Sequence, residues 1–118
     1  MIYLASPYSH VDENVRNERF HKVTKKCAQM ARRGINVYSP IMHWHPAAYI
    51  HSLPTDAEFW RSSNFEHILH STALWVLRLD GWEDSNGVRE EMEFAHENRL
   101  PIVFVDLIEE APLDSSVS

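Results

Sequence analysis

A chain of 118 residues has room for one core and one domain, and its 44% apolar and 24% charged residues describe an ordinary folded globule. The formal net charge of −6 argues against a polyanionic partner, so polymeric nucleic acid is not expected to bind. Cys27 is the only cysteine, which excludes an internal disulfide framework and makes a reducing cytoplasm the default setting.

The chain opens on MIYLAS, without a basic leader or a long apolar run, so neither a signal peptide nor a membrane span is expected. Residues 1–6, apolar and ending in small side chains, read as a buried strand. After PYSHVDEN, residues Val15, Phe20, Val23, Cys27, Met30 and Ala31 recur at spacings near 3.6 and predict a long helix. It stops at Gly34, behind the cationic turn ARR. INVYS (35–39) is a second strand, closed by Pro40. Residues 40–56, PIMHWHPAAYIHSLPTD, hold three prolines and three histidines and read as an irregular loop, functional or hiding a short helix. Asp56 is placed to cap a helix through AEFWRSSNFEHILHS. ALWVLRL (73–79) is a third strand, DGWEDSNG a polar turn, VREEMEFAHEN a third substantial helix and PIVFVD (101–106) a fourth strand. The domain is expected to span 1–106, with 107–118 a mobile tail.

Strands alternating with helices, with continuous apolar runs such as IVFV, predict an α/β fold whose parallel sheet is covered on both faces. Right-handed crossovers make it a small doubly wound, flavodoxin-like (Rossmann-like) sandwich with four to five strands. Ligands of such sheets bind outside the carboxyl ends of the strands, which here carry SPYSH, SPIMHWH and DGWEDSNG.

The last helix carries one acidic residue on the wrong face. On a 100° wheel Val88, Met92 and Ala95 form its apolar stripe, extended by Phe94. Glu90, Glu93 and Glu97 lie opposite, facing water, whereas Glu91, three residues after Val88 and four before Ala95, faces the sheet. An unpaired buried carboxylate costs about several kcal/mol, so the residue either reaches the turn as a capping group or serves a site. The preceding DSNG offers Asp84, Ser85 and Asn86 as N-cap candidates, then Gly87, where a ligand can approach the backbone. A helix N-terminus of this kind favours an anion.

IYLASPYS at the first strand, SP after the second, and LDGWEDSNGVREEMEFA together resemble the nucleoside 2-deoxyribosyltransferase superfamily over about residues 1–105. That superfamily includes the 2′-deoxynucleoside 5′-monophosphate N-glycosidases and small bacterial and phage relatives. The resemblance implies cleavage or transfer of an N-glycosidic bond in a nucleoside or nucleotide, a small-molecule partner, no cofactor, and a homodimer. Glu91 matches the nucleophile, Tyr3 the tyrosine that orients it, and Ser85 and Ser6 the phosphate-binding serines. Two positions depart from the pattern. The aspartate of the middle helix falls at Asn64, with Glu66 the other candidate, which removes the expected acid/base. The first-loop arginine is replaced near Tyr8, which weakens the case for a 5′-phosphate.

Chemically, a carboxylate beside an oxocarbenium-like sugar can stabilise it and trap it covalently. Asp80 and Asp84 are candidates for protonating the departing base or holding sugar hydroxyls, or are solvated turn carboxylates. Trp44, Tyr49, Trp60 and Trp82 can stack on a base or belong to core or interface. His43 and His45 share a face if HWH is extended, with His51 nearby; lacking a clear third ligand, they line a pocket or a surface loop, and no metal is expected. His10, in the first loop, is the histidine best placed beside an anionic ligand. A second reading keeps the fold as a nucleotide-binding module without turnover, favoured by Asn64. A flavin-binding reading is opposed by a first loop poor in Ser, Thr and Gly.

Overall fold

The structure, a computed structural model, describes residues 1–108; most of the expected tail, 109–118, lies outside them. Strand β1 (Ile2–Ala5) leads to helix α1 (Glu13–Arg32), which begins where the Asp12 carboxylate accepts the Asn14 N–H at 2.9 Å. It ends as predicted at Gly34, whose φ of 76° is left-handed, with the Ile35 N–H closing onto the Met30 carbonyl. That closure uses the first residue of the expected second strand, and Ser39 caps the next helix. Strand β2 (Val37–Tyr38) is therefore only two residues long rather than 35–39.

Residues 40–51 follow the second alternative for this stretch: they form a regular helix, α2 (Pro40–His51), rather than an irregular loop. The Ser39 hydroxyl accepts the Met42 N–H at 3.1 Å, and Pro40 occupies the first turn, where its missing N–H is harmless. Pro46 lies inside the helix and forgoes one hydrogen bond. Burial of Ile41, His45 and Ala48, spaced as one helical face, holds the helix regardless. Helix α3 (Ala57–Leu69) starts at Asp56 as expected, the carboxylate accepting the Phe59 N–H at 3.2 Å. Strand β3 (Ala73–Leu77), a single 3-10 turn (Trp82–Asp84), helix α4 (Asn86–Glu97) and strand β4 (Ile102–Val105) complete the order.

The four strands are all parallel, in the order β2-β1-β3-β4. Period-2 alternation sends Tyr3, Ala5, Leu74 and Val76 to one face, where Ile68, Val88 and Ala95 of α3 and α4 cover them. Leu4 and Leu77 point to the other, against Val23, Cys27 and Met30 of α1. The chain thus winds one way over α1 and the other way over α3 and α4, which is the doubly wound, flavodoxin-like arrangement. Its direction reverses between β1 and β3, and a crevice opens beyond their carboxyl ends. Leu107 packs against the α1 face and the Ile108 carbonyl accepts from Gln29 Nε2 at 2.8 Å, so these two residues continue the domain. No helix among the described residues is long and apolar enough to cross a membrane.

Leu74 is fully buried in the central strand β3. Leu74→Ala is expected to lower the unfolding free energy by about 2–5 kcal/mol through lost transfer energy and the cavity left behind. Urea denaturation should show this as a lower midpoint at an unchanged slope.

Candidate functional site

Beyond the switch point lies a cavity of about 330 Å³. Each segment lining it arrives by a sheet or helix end. Ser6, Tyr8 and Ser9 come from the loop after β1, and Pro40, Ile41, Trp44, His45 and Ala48 from α2. Asp56, Ala57, Trp60 and Asn64 come from the start of α3, and Asp84 to Gly87 with Glu91 from the start of α4. Arg19 of α1 clasps the two loops that flank the switch point, donating to the Ser9 carbonyl at 3.1 Å and to the Asp80 carbonyl at 3.4 Å. The clasp fits because residue 81 is glycine: its φ is 88°, and a Cβ there would come within 2.8 Å of the Arg19 guanidinium.

Glu91 reaches the cavity from the second turn of α4 and is 7% exposed. Among the described residues its hydrogen-bond partner is the Tyr3 hydroxyl, which donates to Oε2 from the fully buried floor of β1. The wheel had turned Glu91 inward, and its place at the C-terminal end of the sheet follows from the parallel topology. Burial pushes its carboxyl from an ordinary 4.5 up to about 7; the Tyr3 hydrogen bond works against that rise, and nearby Glu90 adds to it. Glu90 is itself engaged by Arg61 in a bidentate pair at 2.9 Å, which ties α3 to α4. Burial, then the negative charge and hydrogen bond of Glu91, raise the Tyr3 phenol well above its usual range, so Tyr3 remains a donor.

Of the three N-cap candidates for α4, Ser85 takes the role, its hydroxyl accepting the Val88 N–H at 3.2 Å. The N–H groups of Asn86 and Gly87, in the first turn, have no partner within the helix. A Cβ on Gly87 would meet Ala57 Cβ at 3.5 Å, ordinary contact, so the protein itself does not demand glycine there. Its bare face toward the cavity is room for a ligand.

Several expected residues sit elsewhere. Asp80 is exposed and absent from the cavity wall, engaged through its carbonyl by Arg19. His10 is also exposed; its Nδ1 accepts the Asp12 N–H at 2.9 Å in a local turn ahead of α1, which turns it away from the cavity. Tyr49 is exposed, and Trp82 packs against Phe104 at the far side of the core. Trp44 and Trp60 do share the wall, with centroids 5.1 Å apart. Because residues 43–45 are helical, His43 and His45 point to different sides rather than one. Among the described residues no three His, Cys, Asp or Glu side chains are grouped to hold a metal. Asn64 lines the cavity whereas Glu66 is exposed, so position 64 is the one that faces a ligand. Among the described residues, three buried polar atoms on this wall, Ser6 Oγ, Trp44 Nε1 and Asn64 Oδ1, have no hydrogen-bond partner. Sequence reasoning placed SPIMHWH, with Trp44 and His45, at this strand end, but missed Asn17, which holds His45 from α1, and Ala48 of the α2 wall. The serine-proline pair at 39–40 was the available sign of a helix start.

The family model for Domain of unknown function DUF1937 matches residues 1–107. The chain belongs to this family. A search of curated proteins finds no match to it. Every cavity residue described above falls inside the DUF1937 domain, as does the Tyr3–Glu91 pair.

A carboxyl raised from 4.5 to about 7 is protonated more readily in the folded chain than in the unfolded one. The stability this contributes is therefore complete below about 4.5 and lost as pH rises through about 7. A shift of that size corresponds to on the order of 3 kcal/mol at about 1.4 kcal/mol per unit. Glu91→Gln is expected to gain stability relative to wild type between pH 4 and pH 8. Urea denaturation at both pH values checks it, and an unchanged difference between the two proteins would refute the burial of an ionisable Glu91.

Proposed function

We propose that this DUF1937 chain is an N-glycosidase or deoxyribosyltransferase-like enzyme, in which Glu91 attacks the anomeric carbon of a nucleoside. The observation that carries this reading is a single carboxylate buried in a cavity wall, oriented by one phenol and otherwise unpartnered. The resemblance of IYLASPYS and LDGWEDSNGVREEMEFA to the nucleoside 2-deoxyribosyltransferase superfamily supports it. Structural carboxylates are paired with cations or backbone N–H groups; Glu91 has neither. As the glycosidic bond lengthens, positive charge grows on the sugar, and a desolvated carboxylate beside it stabilises that charge more than water could. Collapse gives a glycosyl-enzyme, which passes the sugar to water or to another base. Trp44 and Trp60 offer a flat apolar wall for the base, and the lone Asn64 Oδ1 an acceptor for one of its N–H groups.

The lining favours an uncharged nucleoside over a 5′-monophosphate. No lysine or arginine lines the cavity among the described residues, while Asp56, Asp84 and Glu91 do. The N–H groups of Asn86 and Gly87 can hold a hydroxyl as readily as a phosphate oxygen. Asn64 in place of an acid also favours a competing reading, a nucleoside-binding module without turnover.

Chromatography of free base released from ribo- and deoxynucleosides and their 5′-monophosphates separates these readings. The expected result is release from a nucleoside, faster than from its monophosphate, and loss of at least about 10³-fold with Glu91→Gln, since removing the nucleophile removes the covalent route. Binding without release from any member would favour the module instead. The nucleophile must also be ionised, so kcat/KM is expected to rise with pH through about 7. Tyr3→Phe removes a hydrogen bond that holds the Glu91 carboxyl down, so this limb should move to higher pH; a limb that stays put would assign it to another group.

A further inference from the structure

The side of the cavity formed by the first loop and α2 holds a second polar group that the reaction above leaves unused. The Tyr8 hydroxyl lies 2.6 Å from His45 Nδ1, and His45 Nε2 lies 2.8 Å from Asn17 Oδ1. With that amide oxygen turned toward it, Nε2 carries the imidazole proton, Nδ1 is left as acceptor, and the Tyr8 hydroxyl donates to it. The ring is held on both sides, stacked on Phe20 at 4.5 Å and edge-on to Tyr8 at 5.5 Å, and is 7% exposed. Tyr8 and His45 both line the cavity that Glu91 enters. Three residues from two helices and a loop are thus spent on fixing one phenol and one imidazole tautomer at a ligand-sized space.

The second half of a glycosidase cycle needs such a group. Once Glu91 is esterified to the sugar it cannot take a proton, and Asn64, an amide, cannot either. Asp84 is exposed at the rim, and the exposed Asp56 is occupied by the Phe59 N–H. No other imidazole lines the cavity among the described residues.

We propose that Tyr8, backed by His45 and oriented through Asn17, is the general base that deprotonates the acceptor attacking the glycosyl-enzyme. The proposal rests on the N-glycosidase reading of Glu91. With water as acceptor, its oxygen bonds to the anomeric carbon as the bond to the Glu91 carboxylate oxygen breaks, returning the electron pair to the carboxylate. The water proton passes to the Tyr8 oxygen while the Tyr8 proton passes to His45 Nδ1. The imidazolium, its Nε2–H still donated to Asn17, then releases that proton to solvent, the base having left in the first half of the cycle. The resting charges suit this direction. Burial raises the Tyr8 phenol although Arg16 opposes it, so Tyr8 keeps its proton until His45 accepts it. Burial lowers the His45 imidazole, aided by Arg16 and His21 and opposed by Glu13, so its Nδ1 lone pair is free.

The test is a rapid-quench time course of base release by wild type, Tyr8→Phe and His45→Gln, with and without sodium azide. In each variant the first equivalent of base is expected as a burst, followed by a steady state slowed by about 10²-fold, the usual scale of general-base catalysis. Mass spectrometry should then find the sugar on Glu91. Azide, an anionic nucleophile that needs no base, should restore turnover and yield the glycosyl azide, which repair of a merely structural defect would not do. Tyr8→Phe retains the ring packed on His45, so it guards against misfolding of the histidine variant. Loss of burst and steady state alike, no response to azide, or a variant as fast as wild type would each overturn the role of Tyr8 while leaving Glu91 as nucleophile. Absence of base release by wild type would instead remove the underlying reading and this one with it.

Discussion

A phenol on the first strand donating to a carboxylate on the last helix is the contact around which the site is organised. Tyr3 and Glu91 are 88 residues apart, and both lie in the layer between the sheet and the α3/α4 face. Neither is stable there alone. A buried carboxylate without a donor, or a buried hydroxyl without an acceptor, costs about 1–3 kcal/mol or more, so the pair is held only where β1 and α4 are in register. The sheet supplies that register. Tyr3 is paired with Tyr38 on one side and Leu74 on the other, in the middle of a four-stranded parallel sheet that fixes its height below the helix. The single donor is too little to return the carboxyl to its ordinary range, and Glu91 is left with a carboxyl raised to about 7 whose second oxygen has no partner among the described residues.

The surroundings keep that tension from being relieved. The guanidinium of Arg61 is committed bidentately to Glu90, and that of Arg19 to the carbonyls of Ser9 and Asp80. Both arginines brace the cavity walls rather than neutralise the acid. Among the polar atoms of the wall, Ser6 Oγ, Trp44 Nε1 and Asn64 Oδ1 are neutral and, among the described residues, unpartnered. Sites that bind and react share this combination of rigid walls and unsatisfied groups, because unsatisfied groups regain partners when a ligand enters.

The layered fold was legible from the sequence because the strands stand out as short apolar runs, α1 and α4 carry a helical period, and Asp56 marks the start of α3. The inward turn of Glu91 needed only the spacing of Val88, Met92 and Ala95. Helix α2 was legible only as an alternative to an irregular loop, although Ile41, His45 and Ala48 trace a helical face, because Pro46 reads as a breaker and the exposed Met42, Tyr49 and Ile50 blur the stripe. The loop reading left the α2 part of the cavity wall incomplete. It also set His43 beside His45 as if extended, whereas the helix separates them and hands His45 to Asn17 and Tyr8. Those partners are 28 and 37 residues away, and no local pattern encodes such pairs. His10 failed for the opposite reason: it sits in the right loop, but a short-range bond from the Asp12 N–H turns its side chain out. Asp80 is exposed, its carbonyl held by Arg19 from 61 residues away.

Charge then limits what the cavity can hold. The first-turn N–H groups of a helix favour an anion, and three helices, α2, α3 and α4, bring their first turns to this space. The carboxylate of Asp56 already caps α3 and offsets its positive end, whereas the Ser39 and Ser85 caps of α2 and α4 are neutral. Two uncompensated helix ends therefore face Asp56, Asp84 and Glu91. A helix terminus carries about half an elementary charge, and a carboxylate a whole one. The balance is acidic even with Glu91 half protonated, and it opposes a phosphate dianion while it attracts positive charge. An oxocarbenium-like sugar is positive only while its bond to the base is breaking. Under the proposed N-glycosidase reading, the field of this cavity therefore favours the moment of cleavage over a nucleoside at rest, which is the condition for a binding site to be a catalytic one.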